Sequence, residues 1–286
     1  GDVFGAFVSD PLQAIAYHGV VMAIVISVVY RGISGGIERS CKILMPALFF
    51  ILILLIIRSV TLPGSTEGLR FYLLPDFSKL TGEGVLAAVG QGFYSLSLAM
   101  GIIITYGSYL GKHEYMPKMT STIVLLDTCV AIMAGLVIFP AVFAFGVDAG
   151  AGPGLTFVTL PIVFAKMPMG AFFSFAFFAL LFIAAITSAF SLLEVVVTFA
   201  IDELGWSRAK SAVVMGIAIA LLGVPSALSV GGHFPKICGK DFLDAMDFIT
   251  NNAVMPVGGM LTSFFVGWIW TKGAKDEVTN FGEHDF

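Results

Sequence analysis

Runs of about 20 mostly apolar residues, such as LQAIAYHGVVMAIVISVVY and the shorter ILMPALFFILILLII, constrain this chain more than any other feature. At about 1.5 Å of rise per residue, a helix of some 20 residues crosses the roughly 30 Å hydrocarbon core of a bilayer. Lipid offers no partners to a bare backbone, so such segments must be helices that satisfy their own N–H and C=O groups. Composition agrees: 58% of the 286 residues are hydrophobic and 12% are charged, where a soluble domain carries about a quarter charged residues. The chain is therefore expected to be an all-α, polytopic membrane protein.

Hydropathy places seven spans at about 11–31, 37–62, 84–110, 118–147, 169–205, 208–230 and 242–271. Two Gly- and Pro-rich stretches, 63–83 and 148–168, separate some of them on the outer side. The second contains GPGLTFVTLPIVF, too apolar for a solvated loop, and is expected to dip back against the bundle. Lys and Arg fix the orientation. Arg31, Arg39, Lys42, Lys112, Lys118, Arg208, Lys210, Lys272 and Lys275 fall in alternate junctions, nine of the fifteen basic residues. That bias puts the N-terminus of the chain outside. Neither the opening GDVFGAFVSDP, which is no signal peptide, nor the polar ending WTKGAKDEVTNFGEHDF reads as the boundary of a complete fold. The chain is expected to be a portion of a longer protein, with 272–286 a truncated cytoplasmic tail.

Polar groups inside the spans need an explanation, because an unsatisfied one costs several kcal/mol in hydrocarbon. Three clusters stand out. GQGFYSLSLAMG (90–101) carries Gln91, Ser95 and Ser97 among three glycines. Asp127 interrupts STIVLLDTCVAIMAGL, and Thr187 and Ser188 sit in AAITSAFSLLE. Counting about 1.5 Å per residue from each span's start brings all three near the bilayer midplane. Thr187, Ser191 and Glu194 also share one helix face at i, i+4, i+7 spacing. Two readings stay open for the hydroxyls: bonding back to the i−4 carbonyl, or ligation. A buried carboxylate marks an ion or proton path by default. Hydroxyl, carboxylate and carbonyl oxygens are hard donors suited to Na⁺ or H⁺. The glycines and small residues between Gly90 and Gly101 would let that helix break at about 95–101 and turn freed backbone groups toward a cavity.

Other chemistries find little support. No block of like charge accompanies the net charge of −4, so nucleic acid is not an expected partner. Cys41, Cys129 and Cys238 are too scattered for a disulfide framework or metal cluster. The HExxH motif is missing, and Asp127 is alone at its depth, so no enzyme is expected. The final span has no lysine for a retinal Schiff base.

At the polar clusters the chain resembles the neurotransmitter:sodium symporter family. The resembling stretches are RGISGGIER, LPDFSKL, VGQGFYSLSLAMGIIITYGSYL, the run from Asp127 to FP, GLTFVTLPIVF, AAITSAFSLLEVVVTFAIDELGWSRAKS and DAMDF. They occur in family order over nearly the whole chain. The resemblance implies the LeuT-type fold of two inverted five-helix repeats, with this chain supplying helices four to ten. Residues 1–62 would be helices four and five, 63–83 an extracellular loop, and 84–271 the second repeat with its re-entrant outer loop at 148–168. Helices one to three and eleven would be partners contributed by the rest of the transporter.

The family pattern further implies roles for individual residues. Ala184, Thr187 and Ser188 match one sodium site; Ser95 and Asp127 match the other, which also touches the substrate carboxylate. Asp127 stands where many members have Asn. Tyr94, Ser95, Ser97, Ala99, Met100, Ser188 and Leu192 match the substrate pocket. Asp247 matches an outer gate acid, and Asp202 and Tyr109 an inner gate. Glu194 is given no ligand role. Ala131 stands where chloride-dependent members carry a hydroxyl, so chloride is not an expected cofactor. The implied function is Na⁺-coupled symport of an amino acid, hydrophobic or aromatic, across the cell membrane by alternating access. One or two Na⁺ ions would be used, and this chain would be inactive alone. The alternative is a non-transporting remnant or a regulatory fragment.

Overall fold

The structure is a computed structural model, and it describes residues 3–111, 114–146, 154–237 and 239–279. Lys112, His113, Cys238, His284, the 148–153 part of the outer loop and the end of the tail lie outside the described residues. Thirteen α-helices occur among those described. They are α1 Val3–Val8, α2 Pro11–Tyr30, α3 Arg39–Val60, α4 Ser65–Leu73, α5 Gly82–Ser95, α6 Ile102–Gly107 and α7 Met116–Ala144. There follow α8 Leu160–Ala165, α9 Gly170–Asp202, α10 Arg208–Ser229, α11 Phe242–Ile249, α12 Met255–Phe264 and α13 Thr271–Val278. Wide-turn π segments at Ile33–Glu38 and Thr250–Val254 join α3 and α11–α12 into the longer spans Ile33–Val60 and Phe242–Ile269.

Among the described residues six helices are long and apolar enough to cross a membrane; the expected seventh, 84–110, is divided between α5 and α6. Local chemistry sets where several begin. Asp10 caps α2, its carboxylate accepting the amides of Leu12 at 2.9 Å and Gln13 at 3.2 Å, with Pro11 at the first helical position. Thr81 caps α5 through the Gly84 amide, and Ser207 caps α10 through that of Lys210. Asp76 turns LPDFSKL, where the Ser78 hydroxyl and amide hold its carboxyl below the ordinary carboxylate range. The first residues of the polar tail wind into α13.

Two apolar clusters organise the bundle. Leu52, Leu55, Val137, Val142, Leu160, Val163 and Phe177 join α3, α7, α8 and α9. Val25, Val29, Ile186, Phe190, Val197 and Ala212 join α2, α9 and α10. The segment around α8 packs into the first of these clusters, burying Leu160, Val163 and Phe164. Lipid is as apolar as leucine, so close packing and polar contacts hold these helices together, not escape from water. Gly68 illustrates this: a Cβ there would strike the Phe139 carbonyl, so α4 lies directly on α7. Nearby, the buried Ser59 hydroxyl donates to the Val137 carbonyl at 2.7 Å, tying α3 to α7.

Candidate functional site

The site grows from the break between α5 and α6. Helix α5 ends in a Schellman turn: the Leu98 amide donates to the Phe93 carbonyl at 2.9 Å and the Ser97 amide to that of Tyr94 at 3.0 Å. Ser97 (φ 55°) and Ala99 (φ 61°) both lie in the left-handed region that glycine normally occupies, and Gly101 follows at φ 77°. The expectation assigned this break to the glycines and small residues of 90–101. Gly90 and Gly92 lie within α5, so two non-glycine residues carry most of the reversal. Strain of about 1–3 kcal/mol per such residue persists only where neighbours over-determine it, and such residues cluster at functional sites. Here the neighbours are close. A Cβ on Gly258 of α12 would sit 3.4 Å from the Ala99 methyl, and one on Gly101 would come within 2.8 Å of Val195 in α9.

Just above the break, the Ser95 hydroxyl donates to Asp127 Oδ2 at 2.6 Å. This half-buried bond links α5 to α7 and leaves Oδ1 of Asp127 and both lone pairs of Ser95 free to accept. Across the bundle, Thr187 donates to the carbonyls of Ile183 and Ala184, each at 3.0 Å, and Ser188 donates to Ala184 at 3.1 Å. Both hydroxyls therefore bond back along their own helix. Their protons point inward along α9 and their lone pairs outward, an orientation that suits a cation. The Ala184 carbonyl, by contrast, is already met by two hydroxyls. No hydrogen bond joins Ser95 or Asp127 to Thr187 or Ser188.

Thr187 and Ser188 line a cavity of about 410 Å³ with Ser191, Tyr106, Cys41 and Met45. Tyr106 and Ser191 share a 2.7 Å hydroxyl–hydroxyl bond across it. Tyr94 (51% exposed) and Leu192 (49%) stand open, as do Ala99 and Ser188, while Ser97 and Met100 are half-buried.

The residues matched to gates take different partners. Asp247 Oδ1 accepts the Asn251 amide at 2.9 Å, and the other side-chain atom of Asn251, Oδ1, is buried without a hydrogen-bond partner. Tyr109 donates to Glu194 Oε1 at 2.9 Å and meets Thr198 at 2.5 Å, whereas Asp202 is exposed and joins neither. Glu194 is fully buried; Arg208 reaches its Oε2 at 2.5 Å and also donates to the Val29 carbonyl at 3.2 Å. On sequence grounds Glu194 carried no ligand role and Arg208 stood as a junction charge. The shared face of Thr187, Ser191 and Glu194 was the available signal. Among the described residues no cluster of His, Cys, Asp and Glu is built for a transition metal.

A multi-pass bundle with one span unwound at mid-length and a hydroxyl–carboxylate pair beside the gap has the architecture of the inverted-repeat membrane-protein class. The comparisons with known proteins agree. The family model for the Sodium:neurotransmitter symporter family matches residues 14–276, and the chain belongs to that family. It is 41% identical over 267 residues to the uncharacterised sodium-dependent transporter YhdH of Bacillus subtilis, and 40% over 276 residues to one from Haemophilus influenzae. These alignments cover 93% and 95% of this chain but 59% and 60% of those relatives. The chain thus spans about three fifths of their length. The crystal structure of MhsT in complex with L-phenylalanine superposes with a TM-score of 0.88 at 45% identity, over 96% of this chain and 63% of that one. The family comprises transporters, not enzymes.

Proposed function

We propose that the protein carries out sodium-coupled symport of a hydrophobic or aromatic amino acid across the cell membrane by alternating access. The observation that carries this reading is the Ser95–Asp127 pair beside the unwound 96–101 segment, which sets a carboxylate and a hydroxyl against backbone freed from helical bonding. Hard oxygen donors of this kind suit Na⁺. The likeness to a structure holding L-phenylalanine supports a large apolar substrate. Ser95 and Asp127 would hold one ion next to the substrate carboxylate, and Thr187 and Ser188, with the Ala184 carbonyl after it sheds a hydroxyl, would hold the other. Tyr94, Ser97, Ala99, Met100, Ser188 and Leu192 would line the substrate, while Asp247 and the Tyr109–Asp202 end would gate it. Chloride is not required. In this reading 1–62 closes the first repeat, 84–271 forms the second, and the N-terminus of the chain faces outward.

Na⁺ would bias the outward-facing state only as far as it binds that state more tightly. Inward movement of each charge supplies about 2.3 kcal/mol per 100 mV. The test is a scintillation-proximity binding assay with tritiated phenylalanine on the transporter containing this chain, titrated with NaCl against KCl. Binding that requires Na⁺, with the half-saturating Na⁺ concentration raised at least about tenfold by Ser95→Ala or Asp127→Ala, supports the proposal; a tenfold change corresponds to about 1.4 kcal/mol. Equal binding in KCl would refute it.

A further inference from the structure

Away from the transport site, two adjoining cavities meet at one end of the bundle and share Arg31. The first, about 550 Å³, is a groove between α2 and α10. It is walled by Ala23, Ile26, Val213 and Ile217, with Ser27, Tyr30 and Arg31 toward its mouth. The second, about 290 Å³, is lined by Arg31 and Arg39 with Ser40, the small Gly35 and Gly36, and apolar Val28 and Ile43. An apolar channel along two membrane-crossing helices therefore opens onto a small chamber holding two guanidinium-bearing residues.

The charges around this chamber are otherwise spoken for. Lys42 pairs with Glu38 at 2.6 Å, and Arg208 with Glu194 at 2.5 Å. The Lys210 ammonium lies 4.2 Å from the centre of the Trp206 ring. Arg31 and Arg39 are exposed and take part in none of the ion pairs among the described residues. No carboxylate lines either cavity. Depth is marked independently: Tyr30 (51% exposed) and Trp206 stand at helix ends here, where aromatic rings settle at the level of lipid headgroups.

We infer that this paired cavity is a binding site for an anionic phospholipid, one acyl chain lying in the α2–α10 groove and the phosphodiester between Arg31 and Arg39. Guanidinium matches a phosphate's paired oxygens with two parallel N–H donors. The Ser40 hydroxyl lining the same chamber adds a further donor. A soluble phosphate would use the arginines but not the groove. A zwitterionic lipid brings the same phosphodiester but sets a quaternary ammonium beside it, which the two guanidinium groups repel. A lipid with a net negative headgroup uses groove and arginines without that repulsion. Each basic residue near a membrane surface is worth about a fivefold preference for anionic over neutral lipid, so the pair gives about 25-fold.

The test is native mass spectrometry of the purified transporter, offered phosphatidylglycerol and phosphatidylcholine of identical chains in competition. The expected result is a single-site preference for phosphatidylglycerol of about 25-fold. It should fall to fewer than about twofold in the Arg31→Gln/Arg39→Gln double variant, whose thermal midpoint in phosphatidylcholine matches the parent. Arg31→Lys/Arg39→Lys keeps most of the preference, and Ala23→Trp, which fills the groove and leaves both arginines, loses it. Glycerol 3-phosphate at equal concentration does not compete. A parent protein without preference, an undiminished preference in the Gln or Ala23→Trp variants, or displacement by glycerol 3-phosphate would each overturn the inference.

Discussion

Glu194 is the residue on which α9, α10 and the turn after α6 meet. With 0% of its side chain exposed it accepts from Tyr109, Thr198 and Arg208, the last 27% exposed. Such a pair adds little over an apolar one of the same shape, but removing one member strands the other. Glu194→Ala is therefore expected to lower stability by about 3 kcal/mol, read as an earlier midpoint in detergent denaturation. Arg208→Ala should cost a similar amount, and the double variant clearly less than the two losses added, because the residues are coupled. Additive losses would show that the contact does not hold α9 to α10. The hydroxyls teach a related lesson. Thr187 could be recognised as polar and deep, but only its rotamer shows that the proton goes to Ile183 and Ala184 and the lone pairs remain outward.

At the scale of elements, the α5–α6 break is written in backbone angles, and the glycines of one motif divide into opposite kinds. Gly101 needs its φ of 77°, and a Cβ there meets Val195 at 2.8 Å; Gly92 is helical and a Cβ there meets nothing within 4 Å. Gly101→Val is thus expected to cost about 2 kcal/mol, from left-handed strain together with the clash. Gly92→Ala should leave stability unchanged or raise it by up to about 1 kcal/mol, the helix-propensity difference. Thermal unfolding of the two variants in the same detergent checks both; a loss at Gly92 equal to that at Gly101 would contradict the assigned break. The existence of a break was legible in GQGFYSLSLAMG. Its mechanism was not, because nothing in the local sequence marks Ser97 or Ala99 for the left-handed region. What surrounds the break comes from far along the chain, Gly258 facing Ala99 and Val195 facing Gly101.

For the molecule as a whole, the open flank of the site matters most. Tyr94, Leu98 and Leu192 are 51%, 37% and 49% exposed, although they border the unwound segment or the hydroxyl-lined face of α9. The chain spans only about three fifths of the length of the matched relatives and of MhsT. Residues 1–286 reconstituted by themselves in proteoliposomes are expected to show no Na⁺-driven uptake of tritiated phenylalanine above a KCl control. Uptake by this chain alone would mean that the flank needs no further cover.

The amino-acid sequence by itself determined the environment, the spans and the family. Lipid permits only self-satisfied helices of a minimum apolar length, and that requirement can be read one segment at a time. Other pairings between spans were a matter for tertiary structure: Tyr109 with Glu194 and not Asp202, Arg208 beneath α9. Each depends on how far neighbouring helices are rotated and offset in depth, and hydropathy averaged over a turn carries no trace of either.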